Sequence, residues 1–315
     1  MAKLKALLLT EGYHGMISQV EGLAKALNAE FHHKIVRLNW LWNYMPPKFT
    51  PKSEIILKDK KYISESEGCD LVISCGRKSV VPSILLKKRN NSIITIHIQD
   101  PKVDFNNFDT IIAPEHDGIN GDNIITSKGA IHYITKEEIE KSKNYLIDKV
   151  KNQKVVALIL GGPNKYYSFE NEEVSKIFDQ LKISFISKGY KAIIIPSMRT
   201  PKRAIELAKE KLTNEAHIIT EVDKQAYLSS LAIANNIVVT CDSISMISEA
   251  AVSGKPIFVA HMKTKRNNYR FKRFFQLFRD MGITKNLGEK VEEWNYNNLN
   301  ESGRIAELIK QKLNR

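Results

Sequence analysis

The chain has 315 residues, 43% apolar and 26% charged, and a formal net charge of +13. That is enough apolar material for two globular cores, and no stretch reaches the roughly 18 apolar residues of a membrane-spanning helix. The charge points to an anionic partner (phosphates, a nucleic acid or an acidic membrane surface), and three cysteines without metal or redox spacing (Cys69, Cys75, Cys241) fit a reducing cytosol.

In chain order, the segment Met1–Thr10 has only a short apolar run and no small-residue cleavage site, so it reads as a first strand from Lys5 rather than a signal peptide. A glycine turn and a helix over 15–27 follow, with Val20, Leu23, Ala24 and Leu27 at helical spacing. Further strands are predicted at 34–38, 71–74, 93–98, 110–113 and 123–126. Thr135-Lys-Glu-Glu138 has capping-box spacing and opens a charged helix running to about Val150. The strand–loop–helix pattern then restarts at Val155, with strands at 154–160, 191–196, 216–219, 236–240 and 256–259. Thr200-Pro201 reads as a cap with proline at the first helical position. Most strands are too apolar for half-exposed hairpins, which predicts parallel sheets covered on both faces. The expected architecture is α/β: two Rossmann-like doubly wound domains, 1–150 and 151–315, facing a cleft. The last helix is expected to pack back on the first domain.

In such sheets, ligands bind where strands end and helices begin. Gly12 and Gly15 follow strand one, but the third position of the dinucleotide-loop spacing is Ser18, and strand two ends without an acid. A Tyr-x-x-x-Lys pair at Tyr145/Lys149 falls in the linker helix, and at Tyr44/Lys48 it spans two prolines. These points weaken a sugar-nucleotide epimerase reading. Gly161-Gly162, with Lys165 close behind, can turn backbone N–H groups toward phosphate oxygens. Arg199 and Lys202 lie where they could neutralise that phosphate. The strongest segment is Val239–Val259: a hydroxyl-rich turn (Asp242, Ser243, Ser245), a helix carrying Glu249, then Gly254 and Pro256. There Glu249 can accept two ribose hydroxyls and the serines can meet a phosphate, while Asp242 and the serines also suit helix capping.

The strand–turn–Glu-helix–Gly-x-Pro pattern resembles the donor-nucleotide motif of GT-B glycosyltransferases, the peptidoglycan N-acetylglucosaminyl transferases in particular. The resemblance implies ribose binding by Glu249, diphosphate contact at Gly161-Gly162, and base reading by the Thr220-Glu221-Val222 turn. A resemblance over nearly the whole chain is to the mitochondrial-fission ELM-type family. It rests on Gly76–Ser83, Gln99-Asp-Pro101, Ala113–Asp117, Gly161–Lys165, Ser197–Pro201 and Asp242–Glu249. Plant members of that family are implicated in recruiting a dynamin-related protein, and bacterial members have been labelled epimerases. This chain's composition looks bacterial.

On the acceptor side, Gly76-Arg77-Lys78-Ser79 sets two cations at a helix start, suited to an anionic group alongside Gly12 and Gly15. His14, Asp117 and Asp100 follow predicted strands and are the candidate general bases of an inverting transfer. His116/Asp117 lacks further ligand spacing, so no metal is expected. No cofactor is called for. Segment 263–281 interleaves cations with Phe271, Phe274, Phe275 and Phe278 on one helical stripe. Either those rings pack on the core, or the helix touches an acidic membrane. No nucleic-acid motif is present. The expected function is a glycosyltransferase-like protein taking a UDP- or ADP-linked sugar in the interdomain cleft, with a membrane-associated acceptor. It would be cytoplasmic or peripheral on the inner face of the membrane. The alternatives are a non-catalytic ELM-type adaptor and a sugar-nucleotide epimerase.

Overall fold

The computed structural model describes residues 3–150 and 153–313. They fall into two units, one ending at Tyr133 and resuming at Asn300, the other running from Ile134 to Leu299. The first holds β1 (Lys5–Thr10), α1 (His14–Ala26), β2 (Glu30–Ile35), α2 (Lys61–Glu65), β3 (Leu71–Cys75), α3 (Val80–Arg89), β4 (Ile94–Ile98), β5 (Thr110–Pro114) and β6 (Ile124–Ser127). The second holds α4 (Lys136–Lys141), β7 (Val155–Leu160), α5 (Asn171–Ser184), β8 (Lys191–Pro196), α6 (Lys202–Lys211), β9 (Ala216–Ile218) and α7 (Lys224–Ile233). It continues with β10 (Asn236–Thr240), α8 (Ile244–Ala251), β11 (Ile257–Ala260), α9 (Tyr269–Asp280) and β12 (Thr284–Asn286). The last helix, α10 (Glu301–Leu313), returns to the first unit.

Each unit is a six-stranded sheet, ordered β2-β1-β3-β4-β5-β6 and β12-β11-β10-β7-β8-β9, and the pairings are parallel. β3, β7 and β10 are buried at every position, as apolar runs in a doubly covered parallel sheet must be. The strand order reverses between β1 and β3 and again between β7 and β10. Those two gaps are the switch-point crevices of doubly wound sheets.

In the first unit, Val20, Leu23 and Ala24 of α1, with Leu27 just after it, pack on Leu8 and Ile73. α10 adds Ile305, Ala306 and Ile309 to the same core, and burying each isoleucine stabilises by roughly 1.5–3 kcal/mol. The side chain of Glu301 locks the helix start by accepting the Lys128 N–H at 2.7 Å.

Four expectations change. The predicted strand 34–38 lies instead at Glu30–Ile35: β2 is a sheet edge of alternating exposure, too polar to show as an apolar run, and Val36 and Leu38 turn into the core beyond it. β12 went unread because Thr-Lys-Asn carries no strand pattern. The capping box forms, with the Glu138 N–H donating to Thr135 Oγ1 at 3.2 Å. α4 nevertheless stops at Lys141 and continues as two single 3-10 turns. There the Ser142 hydroxyl bonds back to the Glu138 carbonyl (2.9 Å), and the Leu146 N–H goes to Ser229 Oγ (3.0 Å). Those bonds, with Tyr145 Oη donating to Asp223 at 2.7 Å, tie residues 135–150 to α7, so the divide expected at 150 falls inside the second unit. Finally, Pro201 rather than Thr200 precedes α6, because the Thr200 hydroxyl is drawn to the carbonyls of Leu160, at the end of β7, and Gly161. Among the described residues no helix is long and apolar enough to cross a membrane.

Candidate functional site

At the β7/β10 crevice the chain builds a knot around Asp242, which follows β10 and is buried. Its Oδ2 accepts the Gly162 N–H at 3.0 Å and pairs with Arg199 Nη2 at 2.8 Å. Its Oδ1 accepts the Thr240 hydroxyl at 2.7 Å, and Thr240 in turn accepts the Gly161 N–H at 2.8 Å. Arg199 also donates to the carbonyls of Gly162 (2.7 Å) and Pro163 (3.2 Å). Thr200 Oγ1 lies 2.6 Å from the Gly161 carbonyl, and Asn164 Nδ2 donates to the Asp242 carbonyl at 2.8 Å. A Cβ on Gly161 would overlap the Asp242 carboxylate, and one on Gly162 the Arg199 carbonyl. The two glycines therefore admit this close packing. Their amides, expected to face a phosphate, are turned inward, and so is most of the bonding capacity of Arg199. Asp242 is a core element of the crevice rather than a ligand-facing acid. Lys165 projects into solvent, 5.9 Å from the Tyr166 ring, and Lys202 is exposed.

Ser243 begins α8 as expected, its hydroxyl accepting the Met246 N–H at 3.3 Å. Ser245 is half-buried on the first turn. Glu249, one turn further, is half-buried, and its Oε2 accepts the Tyr227 hydroxyl at 2.8 Å. Desolvation raises its carboxyl from 4.5 to about 7, against the opposing pull of Tyr227. Among the described residues no cation pairs with it. Tyr227 was not foreseen: it stands on α7, and nothing in its local sequence links it to α8. Thr220, Glu221 and Val222 form an exposed turn before α7.

The rim of the first unit is equally occupied. Gly76 adopts φ +96°, and a Cβ there would lie 2.7 Å from Met16 Sδ and 3.0 Å from Glu11 Oε1. Glu11 accepts the Lys78 N–H at 3.1 Å and lies 3.9 Å from Lys78 Nζ. The Arg77 guanidinium donates to the carbonyls of Asn43 and Met45, and the Ser79 hydroxyl to Gly76 (2.7 Å). The cations expected to receive an anion here are thus engaged within the protein. Gly12 adopts φ +89° beside Ile35, whereas Gly15 has open space where a side chain would stand. His14 opens α1, exposed, its ring 6.4 Å edge-on from Tyr133. Asp100 accepts the Lys102 N–H (2.9 Å) and its ammonium (2.5 Å), following Gln99 at φ +84°. Asp117 Oδ1 lies 3.6 Å from His116 Nε2.

On α9 the phenylalanine stripe goes inward: Phe271, Phe274 and Phe278 are buried. Phe275 meets His261 edge-on at 5.0 Å. The preceding loop is stitched to the loop after β7, with the Lys265 N–H donating to the Tyr166 carbonyl at 2.8 Å. A cavity of about 460 Å³ opens there, lined by Lys265, Arg266 and Lys272.

Two doubly wound parallel units, with their loops gathered at the strand ends, define an α/β protein of the GT-B type. The chain belongs to the mitochondrial fission ELM1 family, whose profile matches residues 14–313. It is 29% identical to an uncharacterized protein of Rickettsia prowazekii, over 94% of this chain and 92% of that one. It is 22% identical to the mitochondrial fission protein ELM1 of Arabidopsis thaliana, over 98% and 91%. Among solved structures it is similar to the UDP-GlcNAc 2-epimerase of Neisseria meningitidis bound to UDP-GlcNAc. The TM-score there is 0.57 at 14% identity, covering 98% of this chain and 99% of that one.

Proposed function

We propose that the chain binds a nucleotide-linked sugar on the strand-end edge of its second unit. Glu249 receives the ribose hydroxyls, and the first turn of α8, with Ser243 and Ser245, takes the diphosphate. The exposed Thr220–Val222 turn offers backbone groups to the base. The observation that carries this is Glu249: a half-buried acid with one oxygen anchored by Tyr227 and, among the described residues, no cation to neutralise it. Left unpaired, such a group costs stability, which suits a site that is completed by donors from outside. The UDP-GlcNAc held by the Neisseria epimerase shows what this architecture accommodates in another protein.

Calorimetric titration with UDP-GlcNAc, UDP and ADP tests the reading. Binding is expected to fall at least about tenfold in Glu249→Ala. Affinity should rise as pH climbs through about 7, because the ionised carboxylate is the better acceptor and ligand binding releases its proton. No heat with any of the three would overturn it. A second reading, a non-catalytic adaptor for a membrane or protein partner, is favoured by the inward-turned amides and by the engaged Arg199. It expects that empty titration.

A further inference from the structure

Among the described residues, exposed large apolar side chains gather in segment 40–55 of the first unit. Trp40 is 77% exposed, Tyr44 84%, Phe49 64% and Ile55 67%, with Leu41 beside them. These are not the side chains of a loose loop. Asn39 Nδ2 donates to the Ile55 carbonyl at 2.7 Å, the Asn39 N–H to the Ile56 carbonyl at 2.8 Å, and Leu38 bridges Leu57. Leu38, Pro47, Thr50, Ile56 and Leu57 are buried, and Trp42 packs on the same core. Arg77 clamps the carbonyls of Asn43 and Met45 from below. Each inward anchor fixes its neighbours outward, so the rings are held in water by a rigid backbone, at the cost of exposed apolar surface.

Charge says what covers them. Lys48, Lys52, Lys58, Lys60 and Lys61 are exposed in and just beyond this stretch, against Glu54 and Asp59 as the acids, and Lys60 already takes up Glu54 at 3.6 Å. Exposed aromatic rings interspersed along the chain with exposed lysines, Lys48 lying 6.0 Å from the Phe49 ring, match the boundary of an anionic bilayer, where indole and phenol sit among headgroups and lysines reach phosphates. α9, whose sequence left core packing and membrane contact as alternatives, lacks the other half of that chemistry because Phe271, Phe274 and Phe278 are buried.

We infer that residues 40–55 dock the protein on an anionic phospholipid surface, inserting Trp40, Tyr44 and Phe49 at headgroup depth. This stands apart from the nucleotide-sugar reading and uses none of its residues.

The test is co-sedimentation with vesicles of phosphatidylcholine alone and of phosphatidylcholine mixed equally with phosphatidylglycerol. The wild type should pellet with the mixed vesicles only, with a blue shift of tryptophan emission. The variant Trp40→Ser/Tyr44→Ser/Phe49→Ser, all at exposed positions and checked for an unchanged unfolding midpoint, should lose at least about tenfold in partitioning. Lys265→Ala/Arg266→Ala/Lys272→Ala should partition like the wild type. The inference is overturned if the wild type stays in the supernatant, if it binds both vesicles alike, or if the aromatic variant pellets undiminished. It is also overturned if the wild type is a dimer in light scattering that the aromatic variant dissolves, since a second copy would then be the occupant.

Discussion

The two switch-point crevices use one device with different tightness. In each, a glycine after a central strand lets an acid from the neighbouring loop approach, and the acid is held by a backbone N–H and a cation. At β7/β10 the acid is Asp242, with its side chain fully buried and Arg199 at 2.8 Å. At β1/β3 it is Glu11, 10% exposed, with Lys78 at 3.9 Å. A buried acid held by three donors, one of them a cation, is a fastener, costly to break. An acid with some access to water and its cation at longer distance gains less from the pairing and can exchange it for another partner. Sequence position at a strand end is therefore no measure of ligand contact; what counts is whether the acid already has its donors.

The largest effect should come from Asp242→Ala. It strands the Gly162 N–H, the Thr240 hydroxyl and the Arg199 charge, and should cost about 3 kcal/mol in chemical denaturation. Next, Gly161→Ala should cost about 2–3 kcal/mol, because its methyl meets a buried carboxylate that cannot move. Gly76→Ala, facing the flexible Met16 but strained by its positive φ, should cost about 1 kcal/mol. Equal losses would break the contrast between the crevices.

Glu249, an acid without a cation, supplies the converse. Its folded carboxyl titrates near 7 instead of 4.5, so the folded state holds that proton more tightly than the unfolded chain. Stability should then fall as pH rises from about 4.5 to about 7 and level off above. Glu249→Gln, free of that slope, should gain on the order of 2 kcal/mol over the wild type at pH 8 and nothing at pH 4. A flat difference across denaturation curves at several pH values would count against an unpaired carboxylate. The smallest change is Glu11→Gln, under about 1 kcal/mol and shrinking further in high salt.

What could be read beforehand was whatever short-range chemistry dictates. The apolar runs of β7 and β10, the Thr135 capping box and the Ser243 cap follow from local spacing, and they emerged as expected. Polar edge strands did not, since β2 and β12 lack the buried faces that leave an apolar signature. The site was half legible. Gly161, Gly162, Arg199 and Asp242 do converge, but on one another. Nothing in the intervening sequence announces that Arg77 reaches back to carbonyls at 43 and 45, or that Tyr227 anchors Glu249. Those are tertiary distances, fixed only once helices and sheet are packed.

The return of α10 to the first unit has a consequence for how the protein is made. Ile305, Ala306 and Ile309 complete the hydrophobic layer over α1, yet they are translated after the whole second unit. The first core therefore stays unfinished until residues beyond 300 are available to it, while the second unit, contiguous from 134 to 299, can fold before them.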